Sequence, residues 1–316
     1  MTTPSLWCDW CVARRATNEC SACGQAYYCS ADCQQEEWEQ GSHAAQCASF
    51  IGTCSTVDAL QMQEGLWERI KEQLKNKNPV RPIFAVLYGP PGSGKSTILD
   101  KIHAEEKTYR LRRDETIHVD VDHIVAAFPS YAPELEAACT TALKDGVYAK
   151  YRMQADVFSQ RLLDTSLFHH YSVAWETMGR KVDWTTQELD RIRRLGYHMM
   201  AIYPFVSSME LLAKRVAERK TQHGASDIEE IWRRSKSNFA KILPFLDQVV
   251  IFDNSGPKER VMLELRREGP RWITVQCPSC GCDHAEKHSV ACASMQKHLR
   301  ELLGDTLVDD ALKTCF

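Results

Sequence analysis

The stretch Gly89-Pro90-Pro91-Gly92-Ser93-Gly94-Lys95-Ser96 decides the fold of the central part of the chain. It fits the pattern G-x-x-x-x-G-K-[ST], follows an apolar run over 83–88 and precedes a segment of helical period. In this context, glycines let successive backbone N–H groups face phosphate oxygens. The pattern therefore predicts a nucleotide-phosphate site in which Lys95 reaches the β- and γ-phosphates and Ser96 holds Mg²⁺. The residues expected to bind the nucleotide are Gly89, Gly92, Ser93, Gly94, Lys95, Ser96 and Thr97.

Short apolar runs alternate with longer segments of helical period around this loop. The runs cover residues 83–88, 117–121, 171–175, 198–203 and 249–252. Such alternation predicts an α/β fold, in which a parallel sheet is covered by helices on both faces. Helix starts are predicted by the capping pairs Thr185 with Glu188, Ser207 with Glu210 and Ser226 with Glu229. Helix ends are predicted at Gly196 and Gly224.

Two absences in the sequence narrow the class of nucleotide-binding protein. The only Asn-Lys pair lies at 76–77, upstream of the loop, so the N-K-x-D sequence of a GTPase is missing downstream. No hydrophobic run ends in an Asp-Glu pair, which disfavours motor and transporter ATPases. A small kinase therefore remains as the predicted class.

Composition is that of an ordinary soluble globular protein. The 316 residues are 44% hydrophobic and 26% charged, with a formal net charge of −3. The longest clean apolar run has about six residues against roughly 20 for a membrane span, so neither a membrane anchor nor a signal peptide is predicted. Clustered cysteines without a secretory signal predict metal binding in a reducing compartment, either the cytoplasm or the nucleus.

Composition shifts divide the chain into four predicted parts. These are a Cys-rich head over 1–50, a linker helix over 51–79, a kinase region over 80–256 and a Cys/His tail over 257–316. The head carries eight candidate metal ligands in four closely spaced pairs, Cys8 and Cys11, Cys20 and Cys23, Cys29 and Cys33, and His43 and Cys47. Eight such ligands fill two tetrahedral zinc sites, so the head is predicted to be structural and to leave no position for catalytic water.

The head resembles the MYND finger family in its ligand spacing, its Tyr28-Cys29-Ser30 sequence and its Trp38. The resemblance implies interleaved ligation, with Cys8, Cys11, Cys29 and Cys33 on one ion and Cys20, Cys23, His43 and Cys47 on the other. It also implies a module that binds protein partners, often through proline-containing peptides. An excess of acidic residues in the head disfavours direct DNA binding.

The tail offers one further four-ligand set at zinc spacing. It consists of Cys277, Cys280, His288 and Cys292, and either Cys282 or His284 could replace one member. We therefore expect about three structural zinc ions in the whole chain, together with Mg²⁺ and ATP at the phosphate loop.

Carboxylates follow the second and third predicted strands. Asp120 and Asp122 end the second strand, and Glu176 and Arg180 belong to the string Glu176-Thr177-Met178-Gly179-Arg180 after the third. Because the carboxyl ends of parallel strands open onto the nucleotide crevice, these carboxylates are expected to point at the γ-phosphate region.

This order of features resembles the zeta-toxin family of P-loop kinases over about residues 80–256. The resemblance implies Asp122 as the general base, Asp120, Glu176 and Arg180 on the substrate side, and Arg219 as the lid arginine that stabilises the transferring phosphoryl group. From the residues alone, Asp122 could instead serve Mg²⁺ or cap a helix, and Glu176 could form a strand-end salt bridge. Val125 and Ala225 stand where the family leads us to expect basic residues, so the substrate pocket is expected to differ.

Two functions follow from the sequence. The first is an ATP- and Mg²⁺-dependent kinase that phosphorylates a hydroxyl of a nucleotide sugar, a nucleoside-like metabolite or an RNA end, with the finger docking a partner. The second is an adaptor that binds nucleotide without turnover. An aromatic and basic segment could stack a base of the substrate or form helix core, and its residues are Tyr148, Tyr151, Arg152, Phe158 and Arg161.

Overall fold

The computed structural model describes residues 18–19, 27–28, 35, 81–218, 228–256, 259–276, 290–304 and 307–309. The predicted zinc ligands of head and tail, the linker helix, Arg219 and the helix signals at Gly224 and Ser226 lie outside these residues, except that the backbone of Cys292 falls in a helix. The chain divides into two compact units, residues 1–72 with 121–165 and residues 73–120 with 166–316.

Nine strands are described in chain order. They are β1 (Asn18–Glu19), β2 (Tyr27–Tyr28), β3 (Ile83–Tyr88), β4 (Thr116–Val119), β5 (Ser172–Thr177), β6 (His198–Phe205), β7 (Gln248–Asp253), β8 (Arg260–Glu268) and β9 (Arg271–Gln276). The described helices are α1 (Lys95–Ala104), α2 (Glu106–Tyr109), α3 (Val121–Ala126), α4 (Tyr131–Ala137), α5 (Thr141–Phe168), α6 (Val182–Arg194), α7 (Met209–Ala217), α8 (Ile228–Ile242) and α9 (Val290–Leu303). Single 3-10 turns cover Arg113–Glu115 and Leu243–Phe245.

The second unit contains a seven-stranded sheet in the order β4-β5-β3-β6-β7-β8-β9. The five strands from β4 to β7 are parallel, whereas β8 and β9 pair antiparallel with their neighbours. The predicted parallel α/β sheet is therefore confirmed for the five apolar runs, and two antiparallel strands are added. These two strands extend the sheet past residue 256, at which the predicted kinase region ends.

Both faces of β3, the middle one of the five parallel strands, are buried, as expected for a parallel strand between helices. One face packs with Ile98 and Ile102 of α1 in a core cluster that also contains Phe252. On the other face, the rings of Tyr88 and Phe239 of α8 lie 5.2 Å apart. Helices therefore cover both sides of the sheet.

Some helix termini follow the signals in the local sequence, and others do not. Gly196 follows α6 with a φ of 86°, which confirms the predicted stop. The start predicted at Thr185 is wrong, because α6 begins at Val182 and the Thr185 hydroxyl donates to the carbonyl of Lys181 inside the first turns. Ser208, rather than the predicted Ser207, caps α7 by accepting a hydrogen bond from the Leu211 N–H.

In the first unit, helices α3, α4 and α5 share an apolar cluster. Its buried members are Ile124, Val125, Phe128, Tyr131, Tyr151, Ala155 and Phe158. Tyr151 and Phe158 are thus helix core, which favours that interpretation of the aromatic segment over base stacking for these two residues. Val125 is only 1% exposed, so it fills the cluster. Also in this unit, β1 pairs antiparallel with β2.

Candidate functional site

The phosphate loop connects β3 to α1, as the sequence predicts. Gly92 and Gly94 have φ angles of 78° and 90°, which other residues rarely adopt. A side chain is also blocked sterically, because a Cβ on Gly92 would lie 2.9 Å from the carbonyl oxygen of Leu212 in α7. Lys95 begins α1, and its Nζ donates to the carbonyls of Gly89 and Pro90 at 3.1 and 3.3 Å.

Two neighbouring strand ends hold the loop in place. The Gly89 N–H donates to the carbonyl of Thr177, the last residue of β5, at 3.1 Å. Asn254, directly after β7, donates through Nδ2 to the Ser93 carbonyl at 2.7 Å. A Cβ on Gly94 would lie 2.1 Å from the same Nδ2, so this close approach requires glycine. Asn254 is not predicted as a site residue from the sequence, in which its one local signal is its position after a buried strand.

Ser93 carries an unsatisfied polar atom inside the loop. Its side chain is fully buried, and its hydroxyl finds no hydrogen-bond partner among the described residues. A buried hydroxyl without a partner costs roughly 1–3 kcal/mol. A phosphate oxygen would satisfy this group, as it would the backbone N–H groups of the loop.

A cluster of possible cation ligands lies beside the start of α1. His118, Asp120 and Glu176 each offer a ligand atom, and these atoms lie within 4.8 Å of one another. The Ser96 hydroxyl donates to Glu176 Oε1 at 3.1 Å, and Lys95 Nζ lies 3.9 Å from Glu176 Oε2. The structure therefore brings together four residues that the sequence predicts at the site, namely Lys95, Ser96, Asp120 and Glu176. It adds His118, which the sequence does not predict there.

Glu176 is held in its charged form. Burial of the carboxyl alone would raise its pKa, but the hydrogen bond with His118 and the positive charge of Lys95 outweigh burial and lower the pKa below its usual range. His118 Nε2 lies 3.1 Å from Glu176 Oε1. A charged carboxylate thus lies next to the lysine and the serine of the phosphate loop.

Asp122 does not end a strand, contrary to the sequence prediction. β4 ends at Val119, Asp120 follows, and Asp122 lies in the first turn of α3. Its Oδ1 accepts hydrogen bonds from the hydroxyl of Tyr148 at 2.7 Å and from Nη1 of Arg152 at 3.3 Å. The same Nη1 lies 2.6 Å from the Tyr148 hydroxyl, so tyrosine and arginine form one network around the carboxylate.

The string after β5 contains a tightly enclosed turn. Gly179 has a φ of 69°, and a Cβ there would lie 2.0 Å from the Tyr88 hydroxyl. Asn238 of α8 donates to the Gly179 carbonyl at 2.9 Å. The glycine therefore serves packing against the sheet, while the next residue, Arg180, is exposed. Thr97 is also exposed, in the first turn of α1.

These residues fit a nucleotide with Mg²⁺. Backbone N–H groups, Lys95 and the Ser93 hydroxyl suit phosphate oxygens, whereas the hydroxyl of Ser96 and the carboxylates of Asp120 and Glu176 are oxygen ligands of the kind Mg²⁺ prefers.

A mostly parallel sheet with a phosphate loop after the middle one of its five parallel strands defines a P-loop kinase-like α/β protein. The zeta toxin family model matches residues 68–259, more than half of the chain, and the chain therefore belongs to the zeta toxin family. A second family model, the MYND finger, matches residues 8–47. The chain thus joins a MYND finger, which implies zinc and protein interaction, to a zeta toxin domain.

One solved structure resembles this chain in fold, and another aligns with it more weakly. A chain of the AvrRxo1-ORF1:AvrRxo1-ORF2 complex with sulphate ions aligns with a TM-score of 0.52 and 12% identity, over 85% of this chain and 93% of that one. The PezAT chromosomal toxin–antitoxin system of Streptococcus pneumoniae aligns with a TM-score of 0.48 and 15% identity, over 65% of this chain and 81% of that one. No curated protein matches the chain.

Among the described helices, none combines the length and the apolar composition that crossing a membrane requires.

Proposed function

We propose that the zeta toxin domain is an ATP- and Mg²⁺-dependent phosphotransferase that phosphorylates a hydroxyl of a nucleotide sugar, a nucleoside-like metabolite or an RNA end. The observation that carries this proposal is the contact of Glu176 with Ser96 and Lys95, because it combines a phosphate loop with a charged carboxylate at one crevice. Phosphoryl transfer depends mainly on such positioning and charge stabilisation.

Residues of the loop bind and orient the nucleotide in this proposal. Lys95 exchanges its two carbonyl acceptors for the β- and γ-phosphates, and the Ser93 hydroxyl gains an acceptor. Mg²⁺ held by Ser96, Asp120 and Glu176 would neutralise charge that develops on the phosphates. Arg219 contributes a further positive charge, and Arg180 serves the acceptor.

Asp122 acts as the general base. Its carboxylate takes the proton of the acceptor hydroxyl as that oxygen bonds to the γ-phosphorus, and the bond from phosphorus to the β,γ-bridging oxygen breaks, which releases ADP. A carboxylate offers about four lone-pair sites, so it can accept from Tyr148, from Arg152 and from a substrate hydroxyl together.

The finger is proposed to be a docking module with two zinc ions, held by the eight head ligands, that takes proline-containing peptides in the cytoplasm or nucleus. The tail ligands Cys277, Cys280, His288 and Cys292 are proposed to hold a third zinc ion.

An adaptor without turnover is the second candidate function. The observation that favours it is the burial of Val125 in the α3–α5 cluster, which leaves no basic side chain at that position for an acidic substrate.

Isotopically labelled ATP distinguishes the two functions. The purified chain is incubated with labelled ATP and a pool of metabolites and RNA, and mass spectrometry searches for acceptors that gain the label. The enzyme proposal expects a labelled acceptor that disappears with Lys95→Ala, whereas Lys101→Ala, six residues farther along α1, retains transfer. ATP binding by the wild-type chain without any labelled product supports the adaptor.

A further inference from the structure

We infer that the edge of the sheet opposite the phosphate loop carries a second phosphate-binding site, formed by Arg193 and Arg267, that takes the backbone of a single-stranded nucleic acid. Both arginines belong to the second unit, and no step of the proposed transfer uses them. The inference therefore goes beyond the proposed function and is tested without a phosphoryl acceptor.

The two arginines converge on a single backbone carbonyl. Nη1 of Arg193, in the last turn of α6, donates to the carbonyl oxygen of Pro244 at 2.8 Å. Nη1 of Arg267, in β8, donates to the same oxygen at 2.7 Å. The two Nη1 atoms are thus no farther apart than these two distances end to end. Like charges repel at such a separation, and one neutral carbonyl compensates little of their charge.

Neither guanidinium has a carboxylate partner among the described residues. Arg194 and Arg266, their neighbours in α6 and β8, are both paired with carboxylates. Arg267 uses its Nε on the carbonyl of Gly269 at 3.3 Å, and the described residues offer no acceptor to Nη2 of either arginine. Arg193 is exposed and Arg267 partly exposed, so these donors remain open to a ligand.

The two acidic residues nearest in the structure and the sequence are directed elsewhere. The carbonyl of Asp247 accepts from the Arg267 N–H at 2.7 Å, but its carboxylate accepts from the Met199 N–H at 3.0 Å. Glu268 follows Arg267 along β8, so the two side chains leave opposite faces of the sheet. The site therefore keeps an excess of positive charge, and a guanidinium binds a phosphate through two parallel N–H···O bonds.

The site lies far from the phosphate loop in the topology of the sheet. The 3-10 turn that contains Pro244 precedes the amino end of β7, and Arg193 lies where α6 returns the chain to the amino end of β6. The phosphate loop follows the carboxyl end of β3, which is parallel to β6. The arginine pair thus occupies the amino edge of the parallel strands, whereas the loop occupies the carboxyl edge.

An aromatic side chain beside the pair indicates the kind of ligand. Trp272 of β9 lies directly opposite Arg267 in the antiparallel pairing, so both side chains leave the same face of the sheet. Trp272 is only partly buried. In single-stranded nucleic-acid sites, cations hold the backbone while bases stack on aromatic rings. A phosphorylated peptide would need the arginines alone, so the tryptophan favours a nucleic acid.

Labelled oligonucleotides are the probe. Uridine RNA and thymidine DNA strands of about 12 nucleotides, with hydroxyl groups at both ends, are titrated with the zinc-loaded full-length chain in fluorescence anisotropy. The free ends keep terminal phosphates away from the phosphate loop. We expect binding that weakens steeply with salt, and the relative affinity of the two strands tells whether RNA or DNA is the better ligand.

Arg193→Gln combined with Arg267→Gln is the decisive variant. We expect it to weaken binding at least about 10-fold and to reduce the slope of log affinity against log salt by about 1.4, which is about 0.7 for each lost phosphate contact. The double lysine variant at these positions keeps both charges and should keep the slope. Trp272→Leu should weaken binding about 10-fold with the slope unchanged, because it removes stacking and no charge.

A charge-matched control separates a site from the overall charge. Lys181→Gln combined with Lys214→Gln removes two exposed positive charges elsewhere in the second unit and should change affinity less than about twofold. The glutamine variant at the arginine pair should also bind Mg²⁺-ATP as the wild type does, because the phosphate loop lies at the opposite edge.

Four results would overturn the inference. They are no salt-dependent binding of either strand by the wild type, an unchanged slope in the glutamine variant, an equal loss in the lysine control, and binding of a phosphoserine peptide through the pair without binding of either strand. The lysine variant and the wild type carry the test if the glutamine variant does not fold. Failure of strand binding leaves the proposed transfer untouched, and absence of a phosphoryl acceptor leaves this site untouched.

Discussion

Individual side chains in the two units define the chemistry that can be tested first. Asp122 accepts two hydrogen bonds within its own unit, from Tyr148 and Arg152, while Glu176 contacts Ser96 in the other unit. The proposed base and the proposed cation ligand are thus different side chains, and substitutions can separate the two proposed roles.

Asp122→Asn preserves shape and most hydrogen bonding but removes proton acceptance. We expect ATP to bind as before while transfer falls by roughly 10²- to 10⁴-fold, the usual scale of general base catalysis. Calorimetric ATP binding and single-turnover transfer measure the two effects. Asp156→Asn is the control, since Asp156 also pairs with Arg152, at 3.0 Å, and should leave transfer within a few fold. Equal loss of ATP binding and transfer in Asp122→Asn would assign this carboxylate to the cation instead.

Tyr148→Phe removes the hydroxyl that donates to Asp122 and keeps the ring. Because the carboxylate then loses one of the contacts that orient it, we expect kcat to fall about 10-fold, with KM for ATP unchanged. Tyr151→Phe is matched, because the Tyr151 hydroxyl donates to Glu134 instead, at 2.6 Å. Identical kinetics for the two variants would argue against a positioning role for Tyr148.

At the scale of elements, the turn after β5 joins the site to the sheet. Gly179 has no room for a side chain beside Tyr88, and Asn238 fixes its carbonyl from α8. The position of Glu176, three residues earlier, therefore depends on a glycine whose own contacts are purely structural.

Gly179→Ala should destabilise the domain by about 3 kcal/mol, because it adds steric overlap to the cost of a left-handed backbone. Gly196→Ala provides the matched comparison, since Gly196 also has a positive φ of 86° but has nothing within 4 Å of an added Cβ. We expect that variant to lose only about 1 kcal/mol. Urea unfolding compares the two free energies of unfolding, and equal losses would mean that the turn relaxes around alanine.

The structure explains which parts of the site the sequence could predict. The phosphate loop is local, so Gly92, Gly94 and Lys95 are recognisable from a short pattern that carries its own mechanism. Glu176 was expected near the loop because parallel strands end at one edge of a sheet. Asn254 carries no pattern of its own, and it reaches Ser93 across 161 residues of chain. No local rule anticipates such a contact.

Two details of the fold differ from the sequence prediction for related reasons. β4 ends at Val119, two residues before the end of the predicted run over 117–121, because Val121 starts α3 instead of extending the strand. The antiparallel strands β8 and β9 mix apolar residues with charged and polar ones, so neither is an uninterrupted apolar run of the kind that predicts a buried strand.

On the scale of the whole molecule, the chain combines a finger, a nucleotide domain and a tail whose helix α9 contributes to the core of the second unit. His298 of α9 is buried, and its ring lies 4.1 Å from that of Phe205 in β6. Two charged groups of the described residues act on the His298 ring. Lys236 belongs to the packed helix α8, and Glu301 belongs to α9 itself, with its Oε2 3.9 Å from His298 Nδ1.

Acid should loosen this contact. Burial, helped by the charge of Lys236, lowers the pKa of His298 to about 3. A lowered folded-state pKa means that the stability from neutral His298 is complete above the unfolded pKa near 6.5 and is lost progressively as the pH falls toward about 3. His298→Phe should therefore flatten the decline in the free energy of unfolding between pH 7 and pH 5. His169→Phe, at an exposed position, should not, and parallel curves for all three proteins would contradict the assignment.

Deletion of residues 1–50 tests the separation of docking from chemistry. The filled zinc shells predicted for the finger leave no position for catalytic water, so the truncated chain should lose protein partners and keep ATP binding and transfer. Zinc content should fall from about three ions per chain to about one. Atomic emission measures the zinc, and partner capture that survives the deletion would remove the docking role from the finger.

The bonds of the phosphate loop to β5 and β7 have a further use in measurement. Gly89 donates to Thr177, Asn254 donates to Ser93, and the Asn254 N–H itself donates to the Phe205 carbonyl at 2.8 Å. A nucleotide at 100 times its Kd stabilises the folded chain by about 2.7 kcal/mol, and these bonds connect its binding to amides in three distant stretches of sequence. Slower hydrogen exchange at Gly89 and Asn254 would then report occupancy directly, and a set of nucleotides could be ranked in this way before any phosphoryl acceptor is known.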